Sequence, residues 1–320
     1  CASASDYTGT NIYGNLFQDI KYFSRNGDAI KFENVMNADA GNRVKVHDNV
    51  FVRIDQAPFA FDLVAGNSSN IDIYNNIVYA SRVNPDPCFT PRRGAAFTFS
   101  QSFINLANVR IYNNTVYQPG NGECLVVETP FAGLTGVLFR NNICYQNADV
   151  TPIAWRPASI DASNLFENNL FYTINNIADF GSAPSITHYP TCLSFDTTVN
   201  AANSKCQNPG FYSTSDFLFN PTGGDFTNTS QFLSNSMFGG PAIDMGTSTG
   251  MPAAKTTGIV NTIAAEHGFG FYSDSVAQGG AAWDAGAVES LLPYGGNITG
   301  WSTFTPAFCD APFGGSPTSP

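Results

Sequence analysis

The sequence predicts an all-β fold: a right-handed parallel β-helix, a solenoid with an internal asparagine ladder and an irregular C-terminal cap. Three observations predict it. A short motif recurs, apolar residues alternate around it, and a second alternating run precedes each later copy. The motif reads NIYGNLFQ (11–18), KVHDNVFV (45–52), DIYNNIVY (72–79), RIYNNTVY (110–117), LFRNNICY (138–145) and LFENNLFY (165–172). Aligned on the second residue of the central pair, it places Asn15, Asn49, Asn76, Asn114, Asn142 and Asn169 in one register, separated by 34, 27, 38, 28 and 27 residues. Repeats of that length describe units that cannot bury an apolar face alone and must stack on their neighbours.

The periodicity around the asparagine is two, so the flanking segments are strands. Three residues before it stand Ile12, Val46, Ile73, Ile111, Phe139 and Phe166. Two after it stand Phe17, Phe51, Val78, Val116, Cys144 and Phe171. The positions between are mostly polar or aromatic. The asparagine itself belongs at a bend between two strands. There its amide can bond the equivalent residue of the coils above and below and serve backbone groups that a tight internal turn would strand.

A second strand precedes the later motifs: DAIKFEN (28–34), FAFDLV (59–64), AFTFSQ (96–101), LVVETP (125–130) and IAWRP (153–157). Ile30 and Phe32, Phe59 and Phe61, Phe97 and Phe99, Leu125 and Val127, and Ile153 and Trp155 point inward. Each coil then holds two or three strands, and the crossover rule gives the right hand.

Charged residues make up 12% of the chain and the net charge is −11, which disfavours nucleic acid as a partner. No apolar run approaches the roughly 18 residues of a membrane span. The length suits one elongated domain of about seven to nine coils. Residues 1–183 read as regular coils, with no evident N-terminal cap before the first repeat. Residues 184–222 read as an irregular loop, 223–290 as closing coils and cap, and 291–320 as a Gly/Pro/Ser/Thr-rich tail or linker.

Seven cysteines point to an extracellular or cell-surface location. Cys88 and Cys124 fall at similar places in consecutive coils, so a bridge between them is expected. Cys192 and Cys206 flank a polar loop and can close it. Cys144, inward in the alternation, reads as a buried free thiol. Cys1 and Cys309 remain: they can pair, or Cys1 can be a lipid-modified mature end or a point where upstream sequence is missing. No Cys/His spacing matches a zinc site. His47, His188 and His267 read as surface or turn residues.

The motifs and the C-terminal segments QNPGF (207–211), GDF (224–226), GGPAIDMG (239–246) and GGAAWDAGAVE (279–289) carry a resemblance. The chain resembles secreted right-handed parallel β-helix repeat proteins of the pectate-lyase-like superfamily, with the closing segment common in bacterial members. The resemblance spans about residues 10–290 and is specific for fold rather than activity. It implies a polysaccharide or cell-surface glycan as ligand, either bound or degraded. The alternative it leaves open is a non-catalytic adhesin or a subunit of an extracellular assembly, partnered by copies of itself or by another surface protein.

Outward residues of adjacent coils form stripes. On the second strand they run Glu33, Asp62, Ser100, Glu128, Arg156. Asp62 and Glu128 lie two coils apart, about 9–10 Å between backbones, within side-chain reach of the roughly 6.5–9.5 Å that inverting glycosidases use. Asp62, Glu128 and Arg156 are therefore the candidate catalytic residues, with Glu33, Arg92 and Arg93 as substrate contacts. The adjacent Asp-Asp and Gly-His pairs of pectin hydrolases are missing. A lyase of the superfamily needs a basic residue beside a calcium-binding acid cluster, so Ca2+ is a possible cofactor on the line Glu33, Asp62, Glu128. Exposed acids on a strand face also serve solubility and cross-strand pairing. A second stripe, Tyr79, Tyr117, Tyr145 and Tyr172, suits the apolar faces of sugar rings or another protein's surface. Tyr74 and Tyr112 add further outward aromatics.

Overall fold

The computed structural model describes residues 5–209, apart from 7, 14, 21–26, 33–34, 37–39, 62–66, 80–93, 100–104, 119–121, 129–133, 147–149, 158, 182 and 199. Each of the first six described coils contributes one strand to each of three sheets, and the seventh contributes to two. The first sheet runs through Asn11–Tyr13, Val44–His47, Asn67–Tyr74, Asn105–Tyr112, Leu138–Arg140, Leu165–Glu167 and Ala201–Ala202, with Leu134–Thr135 paired beside Asn105–Tyr112. The second runs through Leu16–Ile20, Val50–Ile54, Ile77–Tyr79, Thr115–Gln118, Ile143–Gln146, Leu170–Tyr172 and Lys205–Cys206. The third runs through Ile30–Phe32, Phe59–Phe61, Phe97–Phe99, Leu125–Val127, Ile153–Trp155, Ala178–Phe180 and Thr187–Tyr189. Pairing between successive coils is parallel, and only Thr187–Tyr189 turns back antiparallel in these three sheets. This is a parallel β-helix.

The bend between the first and second sheets explains the doubled asparagine. Its first residue is left-handed in every later coil: Asp48, Asn75, Asn113, Asn141, Asn168 and Asn203 have φ of 52°, 52°, 53°, 54°, 55° and 57°. Short side chains that bond locally tolerate that conformation best. Its second residue turns inward. The Asn76 side chain donates from Nδ2 to Asn114 Oδ1 at 3.0 Å, and the same oxygen accepts the Asn76 backbone N–H at 3.0 Å. Asn76 Nδ2 also donates to Val46 O in the preceding coil at 3.0 Å. The pattern repeats from Asn15 to Asn169, and Asn49 through Asn169 are fully buried. Asn15, in the first described coil, is exposed.

The core is built of files, one residue per coil. Phe32, Phe61 and Phe99 stack at 4.6 and 4.4 Å between ring centroids, and Phe59 stacks on Phe97 at 5.0 Å. Burial of each ring contributes about 2–3 kcal/mol. Parallel in-register pairing puts like residues above like, so a repeat in sequence becomes a column in space.

The last described coil carries a plug. The helix α1 (Cys192–Thr198) lies across the last coil, and its Phe195 is fully buried against Phe166, Phe171, Phe180 and Tyr189. Thr191 caps the helix, accepting the Ser194 N–H on Oγ1 at 3.1 Å. Residues 184–206, read from the sequence as an irregular loop, thus hold this helix, a returning strand and two strands that extend the first and second sheets. Among the described residues no helix is long and apolar enough to cross a membrane.

The cysteines require a correction. Cys124 pairs with Cys144, not with Cys88, so Cys144 is no free thiol. Cys124 immediately precedes the third-sheet strand Leu125–Val127 with its side chain inside, and Cys144 lies inside the second sheet one coil on. Both are fully buried, so the bridge crosses the narrow core between the two sheets. Cys88 lies outside the described residues. Cys192 bonds Cys206 and ties the plug helix to the last strand of the second sheet.

Candidate functional site

The expected acidic stripe follows the end of each third-sheet strand. Phe61, Phe99, Val127, Trp155 and Phe180 are equivalent, so Glu128 and Arg156 occupy successive coils. Both are half-buried. Their backbones are fixed: Glu128 N donates to Phe99 O at 2.9 Å and Arg156 N to Val127 O at 2.8 Å. Glu33, Asp62, Arg92 and Arg93 lie outside the described residues. Among the described residues no group of three or more His, Cys, Asp or Glu side chains could hold a metal ion.

The tyrosine stripe closes the second-sheet strands. Tyr79, Tyr117, Tyr145 and Tyr172 are equivalent in four successive coils and all half-buried. Their centroids are 5.3, 4.7 and 4.8 Å apart, with planes inclined by 21°, 25° and 24°. The rings therefore cover one another's faces. Stacking of a sugar on each ring, expected from the sequence, is blocked within the file, because a partner on each face would need ring separations of about 7 Å. With their faces covered, the half-buried rings leave their edges as the accessible part of the file. The Tyr145 phenol is held above its ordinary pKa by burial and by the Tyr117 and Tyr172 neighbours, so it keeps its proton.

Around the corner, Gln146 Nε2 donates to Gly122 O at 2.8 Å and Thr173 Oγ1 to Val150 O at 3.1 Å. These bonds anchor the ends of the tyrosine strands to the start of the third-sheet segments.

The outward face of the first sheet carries a second aromatic column. Tyr13, His47, Tyr74 and Tyr112 stack at 5.3, 4.6 and 4.9 Å, all within 8° of parallel. Tyr112, expected to be exposed, is 2% accessible. Beside it lies a buried carboxylate that the motif reading did not single out. Asp72 accepts Arg43 Nε at 2.7 Å on Oδ1, and Arg110 Nε at 2.6 Å on the same oxygen. Burial lowers Arg43 despite Asp72. At Arg110 the hydrogen bond and charge of Asp72 outweigh burial and raise it. Burial first, and the charges of Asp48 and Asp72 next, push the Tyr74 phenol up; burial and Asp72 do the same for Tyr112. One coil on, Arg140 pairs with Glu167. Asp72 spends both carboxylate oxygens on Arg43 and Arg110, so it ties neighbouring coils together and acts as structural glue.

His188, read from the sequence as a surface or turn residue, belongs to a polar cluster at the end of the third sheet. Its Nδ1 lies 2.7 Å from Asp179 Oδ1, its partner across the antiparallel pair. Thr151 Oγ1 donates to Asp179 Oδ2 at 3.1 Å, and Asn176 Nδ2 donates to Asp179 Oδ1 at 3.3 Å. The imidazole is largely exposed. No periodic signal marks this cluster, because it forms where the repeat breaks and the chain reverses.

Of the surfaces described, the tyrosine file alone repeats a single chemical group through four coils at a half-exposed position. Compared with protein-family models, with curated proteins and with solved structures, the chain matches none; its assignment to the parallel β-helices rests on its own ladder, registers and core.

Proposed function

We propose that this is an extracellular glycan-binding β-helix whose recognition surface is the file Tyr79, Tyr117, Tyr145 and Tyr172. The observation that carries this reading is the regular presentation of four phenol edges along the solenoid axis. Two further facts support it. Disulfides suit an oxidising compartment, and the sequence motifs resemble the pectate-lyase-like secreted β-helices, many of which handle polysaccharides. Affinity electrophoresis of the intact protein through gels containing individual polysaccharides tests it. Retardation by at least one glycan, lost on replacing the file tyrosines with alanine, is the expected result. Unretarded migration through every glycan would remove the reading.

A second reading, turnover of the bound glycan, draws on Glu128 and Arg156 standing in adjacent coils. New reducing ends released from a glycan panel, abolished by Glu128→Gln with folding intact, would support it. Binding without release would leave a non-catalytic surface protein, an adhesin or assembly subunit.

A further inference from the structure

We infer that the ligand of the tyrosine file is an extended, uncharged polysaccharide lying along the solenoid axis, held through its hydroxyl groups by ring edges rather than by ring faces. This rests on the glycan-binding reading above and names the substrate class and the mode of contact.

Spacing decides the mode. Centroid separations of 4.7–5.3 Å leave no room for a sugar between neighbouring rings, since two van der Waals gaps need about 7 Å. Each phenol hydroxyl both donates and accepts, so it can hold an internal contact and a ligand hydroxyl together.

Spacing also decides the ligand. A comb with one hydroxyl per coil matches a polymer that repeats its polar groups at about one coil spacing, roughly 4.8 Å. An extended β-linked pyranose chain advances by a comparable distance per sugar, and its like-facing groups, which recur every second sugar in a flat ribbon, keep step with every second coil. An extended polypeptide does not: its like-facing groups recur at about 6.7 Å, twice the rise per residue. The two registers would part within a few coils.

Charge narrows the class further. A net charge of −11 disfavours a polyanionic glycan. The file itself consists of neutral phenols.

Finally, the file has ends. In register, Val52 precedes Tyr79 and Gln207 follows Tyr172. Four rings in four coils set a footprint of about four sugars.

The test is calorimetric titration of the full chain with neutral β-linked oligosaccharides of about two to six sugars (glucan, xylan and mannan series), alongside polygalacturonate oligomers. Affinity is expected to rise with length to about four sugars and then level. Tyr145→Phe, which keeps the ring and removes the hydroxyl, should weaken binding about three- to tenfold, as much as Tyr145→Ala does. Tyr117→Phe should behave alike, and unchanged thermal unfolding of the Phe variants confirms that the fold is intact. Retained affinity in Tyr145→Phe with loss in Tyr145→Ala would overturn edge recognition in favour of a face. Tighter binding of polygalacturonate, or no dependence on length, would overturn the ligand class. If the wild-type protein binds no oligosaccharide and no intact polysaccharide, the glycan-binding reading falls and this inference falls with it.

Discussion

Asp196 does for Ser204 what each ladder asparagine does for the one before it. From Asn15 to Asn142 each backbone N–H is accepted by the side-chain oxygen of the next asparagine, as Asn142 N is by Asn169 Oδ1 at 2.9 Å. Ser204 follows Asn169 in register and has no later coil among the described residues; its N–H goes instead to Asp196 Oδ2, from helix α1, at 2.8 Å. Replacing Asp196 with alanine strands that N–H, and the expected loss is about 1–2 kcal/mol. Urea unfolding measures it. An unchanged midpoint would mean that the helix plugs the stack without serving the ladder.

The ladder itself should show a gradient from end to middle. Asn114 gives up its side chain to Asn76 and Asn142 and also bonds Ile73 O. Asn114→Leu leaves the Asn76 N–H buried without a partner and should cost about 3 kcal/mol. Asn15 is exposed, so water replaces what Asn15→Leu removes, and the loss there should be below about 1 kcal/mol. Equal effects at the two sites would contradict the buried hydrogen-bond chain.

Asp48 breaks the asparagine pattern of the left-handed bend, and it does so buried. Burial raises its pKa, against the lowering effect of His47 and Asn75. A carboxyl with a raised folded pKa contributes fully below its unfolded value of about 3.9. That contribution is lost as pH climbs through the folded value, because the unfolded chain ionises first. Asp48→Asn should therefore stabilise the protein near neutral pH by about 0.5–1 kcal/mol, with the gain shrinking in acid. Denaturation midpoints of both proteins across that range test the sign.

The buried phenols act at the other extreme. Tyr74 and Tyr112 are both shifted upward, by burial first. Above about pH 10 the unfolded chain loses phenolic protons that the folded chain keeps. Stability should be level below that point and fall above it. Absorbance titration should show these two tyrosines ionising together with unfolding, and Tyr112→Phe should reduce the slope.

Cys124 and Cys144 close a loop across the core with a sequence separation of 20. Chain-entropy reasoning gives about 3 kcal/mol for a loop of that size. Replacing both with alanine should lower stability by about that much. Peptide mapping without reduction should recover the two cysteines in one linked pair; recovery of Cys124 bonded to Cys88 would refute the pairing.

The ladder and the registers were legible because they depend on position alone. An asparagine that must reach its counterpart one coil away has to recur in register, and Asn49 to Asn169 do. Chemistry that depends on side-chain direction was less legible. Cys88 and Cys124 suggested a pair by sequence spacing, but Cys124 faces the interior, where Cys144 is its neighbour. Asp72 and Arg110 could have been paired, since opposite charges stand at one motif position in consecutive coils. Arg43 gave no such sign, because it precedes the alternating segment. Tyr112 is outward by alternation yet covered, and alternation carries no information about what lies over an outward face.

The ladder also has a direction. The bonds from one ladder side chain to the next all run in one sense, from Asn49 into Asn76 and from Asn142 into Asn169. The amide dipoles therefore add, as peptide dipoles add along an α-helix. The C-terminal end of the column is its donor, electropositive pole, and there the chain has placed a carboxylate, Asp196. The opposite pole, at exposed Asn15, presents acceptor oxygen. A column polarised in this way can be continued only by another of the same sense: donor pole meets acceptor pole, and two like poles repel.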